Sequence, residues 1–277
     1  MLGVMSTNSP WPQDHYLPRP LDVDSLWSGM PPERRHRIGS YVMIGSVSFN
    51  EQVYKEIKGG INAGELYGTQ AFEAIGAIGT MPQTYHGSDV LPDDLQSGVL
   101  IPNKALWGDG EGNLYEDESV VCFDDDLGTA TFMAVIGPVR HEMKGAWRYG
   151  KSADGRQWRM VLRQALERVK GRTGCVYTTG QHKVPLQDFP GQFRSPERRS
   201  SKPIAYEFAV RVGFEDLPKN VLVVDADKDV GRKIWDLIMG GRHPLELTYL
   251  APIEPLGGLW DVADHPSNRI SPVVKSV

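Results

Sequence analysis

The sequence predicts an α+β protein: antiparallel and β-rich, with a helix packed on a sheet and a small C-terminal αβ module. Three observations predict it. The 30 glycines and 20 prolines are too many for a helical bundle and suit short strands joined by turns. Residues 203–214 alternate strictly, with Ile204, Tyr206, Phe208, Val210, Val212 and Phe214 on one parity, the pattern of a half-buried antiparallel strand. Residues 156–170 place Trp158, Val161, Leu162, Ala165, Leu166 and Val169 at helical spacing, the stripe of an amphipathic helix.

In chain order, residues 1–37 read as an extended Pro-rich arm, because Pro10, Pro12, Pro18, Pro20, Pro31 and Pro32 forbid long helices. Residues 38–217 read as the β-rich main domain. Its expected strands are 40–49, 99–101, 119–123, 129–139 (broken at Gly137-Pro138), 174–178 and 203–214. Glycines recur through 58–79 and no helical period persists there, so short strands and turns are expected. Asp154 is the expected N-cap and Gly171 the stop of the 156–170 helix. Residues 218–277 read as the αβ module: a wholly apolar strand at 221–224, a helix at 229–239 capped by Asp229, and a strand at 245–250.

The 277 residues are 40% hydrophobic and 23% charged, enough to build a sizeable core. This excludes a disordered, collagen-like or disulfide-scaffold chain. No apolar run reaches the ~18 residues of a membrane span, and no basic-then-apolar leader opens the sequence. Cys122 and Cys175 are too few for a zinc site, and free thiols are expected. No metal site is expected: HExxH fails at Gly145, and the calcium-loop spacing of Asp109, Glu111 and Asn113 fails at Leu114 and Val120.

Charge is divided along the chain. Residues 51–126 hold 3 basic against 15 acidic groups, and residues 140–202 hold 15 basic against 5 acidic. Such a chain can pair head to tail with copies of itself, bind a polyanion such as nucleic acid through 140–202, or neutralise itself internally.

One motif bears on cofactor binding. Gly145, Gly150, Lys151 and Ser152 match GxxxxGK[ST], whose backbone N–H groups cradle phosphates while the Lys reaches them and the Ser holds magnesium. Asp225, closing the apolar run 221–224, fits the magnesium-holding acid of such proteins. The context opposes this reading: no buried strand runs into Gly145, and Trp147, Arg148 and Tyr149 crowd the turn.

The order WRMVLRQALERVKG, GCVYTTG, VPLQDF, then IAYEFAVRVGFEDL resembles tailed-bacteriophage tail-hub and baseplate proteins, and the C-terminal part loosely resembles a lysin-motif module. The resemblance implies a structural virion subunit with no catalytic site and no cofactor. It would assemble into rings with itself and other tail subunits through arms and charge complementarity. The alternative is a P-loop nucleotide-binding protein using Gly145, Gly150, Lys151, Ser152 and Asp225. A third reading is an RNA-binding subunit of a CRISPR effector, its basic segment tracking a phosphate backbone.

Overall fold

A computed structural model describes residues 47–77, 84–95, 98–100, 103–108, 114–179, 184–185, 192–194 and 204–257. The expected arm at 1–37 lies outside them. The fold is α+β, with its strands mostly antiparallel.

Two helices come first where the sequence suggested strands and turns. Helix α1 (Val47–Asn62) overturns the expected strand at 40–49 over its last residues, and with α2 (Gly68–Ala77) it replaces the short strands expected at 58–79. Val53, Ile57 and Ile61 are buried at four-residue spacing, which is the helical stripe. The glycines that argued against a helix partly sit inside α1, where neighbouring packing outweighs their ~1 kcal/mol cost. Gly68 is different: its φ is +55°, and a Cβ there would lie 2.1 Å from Asp216 Oδ1. Asp216 accepts a hydrogen bond from Thr69 N at 3.0 Å, so a distant residue caps α2.

The main sheet has six strands in the order β12-β8-β1-β5-β10-β9. These are β1 (Tyr85–Ser88), β5 (Cys122–Asp124), β8 (Thr173–Thr178), β9 (Val184–Pro185), β10 (Gln192–Arg194) and β12 (Phe208–Gly213). Neighbours are antiparallel throughout, with Tyr85 opposite Thr178 and Phe208 opposite the same Thr178. Short β2 (Val99–Leu100) pairs with β11 (Ile204–Ala205), and β3 (Asn103–Gly108) with β4 (Leu114–Val120). The predicted strand at 203–214 is therefore two strands with a break at Tyr206 and Glu207.

One face of this sheet carries Tyr85, Val176, Phe208, Val210 and Val212 and packs on the helices. The element against it is α3 (Leu127–Val135), where the sequence suggested a strand over 129–139. Asp126 caps it by accepting from Thr129 N at 2.5 Å. Seven of its nine residues are buried, so the helix is apolar on every side and shows no stripe to read. It lies close to the sheet: a Cβ on Gly87 would stand 1.9 Å from Ala130 O, and one on Gly174 2.4 Å from Ala134 O. Gly137-Pro138 then separates α3 from the short α4 (Val139–Glu142).

A second sheet has the order β14-β13-β7-β6. Its strands are β6 (Trp147–Lys151), β7 (Gln157–Leu162), β13 (Val221–Val224) and β14 (Ile253–Pro255), with β7 and β13 parallel. The expected helix 156–170 is corrected here: its first half is β7, and only α5 (Arg163–Val169) is helical. Both faces of β7 are covered, so both parities are apolar and imitate a helical stripe. Asp154 does not cap that helix; it closes the β6–β7 hairpin, accepting from Arg156 N at 3.2 Å. Gly171 (φ +78°) does follow the helix as its stop.

Helix α6 (Lys228–Met239) packs Ile234, Trp235 and Ile238 on the outer face of this sheet. Its cap is Asp227, accepting from Asp229 N and Val230 N, so Asp229 is the second residue of the helix and not its cap. The strand expected at 245–250 is a 3₁₀ turn over Pro244–Leu247, because Pro244 sets φ and His243 Nδ1 takes the Leu245 N–H. Strand β13 sits between β7 and β14, so the module beginning near 218 shares its sheet with 147–162.

Arg159 holds the two sheets and α3 together. Its guanidinium is 1% exposed. It pairs with Asp126 and donates to Asn220 Oδ1 at 2.6 Å, Thr129 Oγ1 at 2.9 Å and Gln157 Oε1 at 2.9 Å. Burial lowers its pKa to about 10, opposed by the charge of Asp124, so it remains cationic at neutral pH.

Candidate functional site

The sequence-predicted motif is brought together only in part. Gly145 (φ +76°) precedes β6, and Gly150 and Lys151 lie within that strand. The chain then turns through a hairpin, so no helix begins at Lys151. The Ser152 hydroxyl donates to Asp154 Oδ1 and accepts from Trp158 Nε1 at 2.8 Å, which occupies the oxygen a magnesium ion would need. Lys151 pairs in register with Gln157, whereas Asp225 follows Val224, the partner of Leu162. At ~3.3 Å per residue, Lys151 and Asp225 stand about 20 Å apart along the sheet. Asp225 instead lies 3.8 Å from Arg163 Nε. Both cysteines are free thiols. The calcium-like Asp109, Glu111 and Asn113 lie outside the described residues, and among those described no His, Cys, Asp and Glu cluster could hold a metal.

Six described cations of the basic segment 140–202, Arg159 among them, meet acids. Arg168 and Arg172 meet Glu142, Lys170 meets Glu167, Arg156 meets Asp154, and Arg163 meets Glu254 at 2.7 Å. Among the described residues these pairs are mostly with the segment's own acids, and only Glu254, Asp225 and Asp126 come from outside it, so its excess of basic charge remains. Among the described residues no helix is long and apolar enough to cross a membrane.

A site that no motif announces lies on the six-stranded sheet, on the face opposite the helices. His86, Tyr177 and Ala209 lie in one row by register, and the His86 ring is 6.0 Å from Phe123 and 6.3 Å from Tyr177. Tyr206 packs edge-on against Tyr177 at 5.1 Å. Residues 90–94 wall this face: Tyr177 OH donates to Val90 O at 2.6 Å, and Arg211 pairs with Asp93 at 2.7 Å.

His86 Nδ1 lies 2.7 Å from Cys122 O. A carbonyl only accepts, so Nδ1 carries the proton and Nε2 is left as an acceptor. Burial lowers the His86 pKa, against the carbonyl hydrogen bond that raises it; the ring is neutral at pH 7. Burial pushes both thiols, Cys122 and Cys175, up to about 12, so neither serves as a thiolate nucleophile at neutral pH.

At one end of this sheet three neighbouring strands deliver polar groups. Thr84 precedes β1, Thr179 follows β8, and Glu207 precedes β12. Thr84 is 4% exposed, and its Oγ1 has no hydrogen-bond partner. Glu207 Oε1 accepts from Tyr54 OH of α1 at 3.1 Å. Burial, then the Glu207 charge, raises the Tyr54 pKa to about 12, so Tyr54 remains a donor. Asp125, just past β5, is held up by burial against the positive charge of Lys151. With strands ~4.8 Å apart, Glu207 and His86 stand about 12 Å apart at Cα. A proton does not pass directly between them; a ligand would have to span them.

Sequence reasoning singled out none of His86, Thr84 or Glu207. The sequence carries no signal for Glu207, which falls on the polar parity of a cleanly alternating run and reads as an ordinary exposed strand residue.

Comparison with protein-family models, curated proteins and solved structures finds no match.

Proposed function

We propose that the chain binds an elongated, ring-bearing ligand of the nucleotide class at the end of the six-stranded sheet marked by Thr84, His86 and Glu207, and acts on its sugar. The observation that carries this is that the buried, unpartnered Thr84 hydroxyl and Glu207 stand at the same end of that sheet as His86 and Tyr177, with Glu207 about 12 Å from His86 and engaged by Tyr54 of α1. Perturbed titratable groups on a partly enclosed face mark functional sites. Tyr206, half-buried at the edge of this cluster, is the aromatic ring such a ligand can reach, with Tyr177 and Phe123 buried beneath it. Neutral His86 accepts a hydroxyl at Nε2, and the Thr84 hydroxyl gains the partner it lacks. With the thiols protonated, the chemistry left to these groups is acid–base and electrostatic. A carboxylate such as Glu207 favours a transition state that gains positive charge, as a sugar does when its bond to a base breaks.

The test is to incubate the full chain with NAD, ATP or adenosine and follow release of free base by chromatography. Turnover of one of these, reduced about a hundredfold or more by Glu207→Gln with binding retained, supports the reading. Absence of binding by all three, or turnover indifferent to Glu207→Gln, overturns it.

A second reading keeps one observation in its favour. Met239, Leu245, Tyr249 and Leu250 are exposed, Tyr249 by 69%. Apolar side chains grouped at the surface suit a subunit interface, as the ring-forming phage-tail reading needs, and virion location would follow. Light scattering on a sizing column tests it: a large oligomer that Tyr249→Ser dissolves supports assembly, and a monomer opposes rings formed by this chain alone.

A further inference from the structure

The glycines of the GxxxxGK match serve another purpose. Helix α6 runs along the edge strand β6, and a Cβ on Gly150 would lie 3.0 Å from Trp235 Cζ2. At the other end of the strand, a Cβ on Gly145 would come 3.8 Å from Lys228 Cβ. Between helix and strand a crevice opens, with Gly145, Met160, Leu162 and Gly231 lining it. Arg148 of β6 and Lys228 and Arg232 of α6 also line it. Lys228 and Arg232 are four residues apart, so they share one helix face.

These cations differ from most in the basic segment. Arg156, Arg159, Arg163, Arg168, Lys170 and Arg172 all face acids. Arg148, Lys228 and Arg232 have no ion pair among the described residues and are exposed. Of the neighbouring acids, Asp227 holds the N–H groups of α6, and Asp225 and Glu254 hold Arg163, while Asp229 and Asp236 on α6 make no ion pair with the three cations. Three like charges held together on packed elements repel one another, and an anion relieves that repulsion. Two guanidiniums and an ammonium around an opening with an apolar floor suit a phosphate group, which guanidinium forks bind in a bidentate manner.

We propose that Arg148, Lys228 and Arg232 form a phosphate-binding site, separate from the His86 face. The phosphate comes either from a free phosphate-bearing small molecule or from a nucleic-acid backbone.

Calorimetric titration of the full chain with inorganic pyrophosphate and, separately, with a single-stranded RNA oligonucleotide tests this. The comparison variants are the Arg148→Gln/Arg232→Gln pair and Arg168→Gln, an exposed cation elsewhere. The expected result is saturable pyrophosphate binding, weakened at least tenfold in the pair and unchanged in Arg168→Gln. If only RNA binds, with the same pattern among variants and a loss at high salt, the cluster reads backbone phosphates. If neither ligand binds, or the pair binds as well as the unaltered chain, the site does not exist. Both altered positions are exposed, and an unchanged melting temperature confirms that the pair remains folded.

Discussion

The six-stranded and four-stranded sheets draw on the same apolar residue types but are covered differently. The four-stranded sheet is enclosed: Val161, Val221 and Val223 face the main core, while Trp158, Met160 and Leu222 face α6. Its central strands are parallel, as strands buried on both faces commonly are. Its internal charge, Arg159, is tied down by Asp126 and three hydrogen-bond acceptors. The six-stranded sheet has helices on one face only. The other face gathers His86, Tyr177, Cys175 and Phe123, and its end gathers Thr84 and Glu207. That face too is covered, by Leu91, Leu95, Leu100, Ile204 and Tyr206; the difference is that the four-stranded sheet ties its buried polar group to acceptors, whereas the end of the six-stranded one leaves the buried Thr84 hydroxyl without a partner.

The largest effect expected from breaking this contrast is in the enclosed sheet. Asp126→Ala removes the partner of a buried cation and should cost about 3–5 kcal/mol, seen as a lower urea midpoint. Arg159→Met should cost less, because the Asp126 carboxylate it leaves behind still accepts from Thr129 N and Thr129 Oγ1 and can take up a proton. If the two variants are equally unstable, the ion pair is not what joins the layers.

Next is the helix-covered face of the six-stranded sheet. Gly87→Ala pushes a methyl against the Ala130 carbonyl and should cost about 1–3 kcal/mol. Gly59→Ala, with nothing within 4 Å of the new methyl, should instead stabilise α1 by about 0.5–1 kcal/mol. Thermal unfolding of the two variants side by side checks both signs.

A smaller effect concerns pH and the helix-free face. The folded chain holds the His86 pKa below its ordinary value. As pH falls below ~6.5 the unfolded chain takes up that proton and the folded one does not. Stability contributed by neutral His86 is therefore present at pH 7 and lost as pH drops. The gap in unfolding free energy between the unaltered chain and His86→Asn should shrink from pH 7 to pH 5, and a constant gap would remove His86 from the pH response. The smallest effect is at the rim: Arg163→Gln breaks exposed pairs with Glu254 and Asp225 and should change stability by less than about 1 kcal/mol, within the spread of repeated urea titrations.

Legibility in the sequence followed how each element is covered. Strands 173–178, 208–213 and 221–224 and the helix at 228–239 were readable, because pattern and burial coincide there. Helix α3 was not, since burial on all sides removes polar punctuation from residues 129–135. Strand β7 was not, since burial on both faces produced a spurious helical stripe through Trp158, Val161 and Leu162. Gly145 and Gly150 were legible as a motif and misleading as chemistry, because residue spacing does not say whether a glycine admits a phosphate or a helix. Glu207 went unmarked because it sits in a strand break that alternation conceals.

By itself the sequence determined the α+β class, the free thiols, the division of charge and the main antiparallel strands. These follow from composition and short-range periodicity, which act within a few residues. Only the tertiary structure decided which apolar segments became helix or strand. It also decided which cations of the basic segment meet acids, and that Thr84, His86 and Glu207 share one end of a sheet. Those depend on partners tens of residues apart, brought together by burial that no local pattern records.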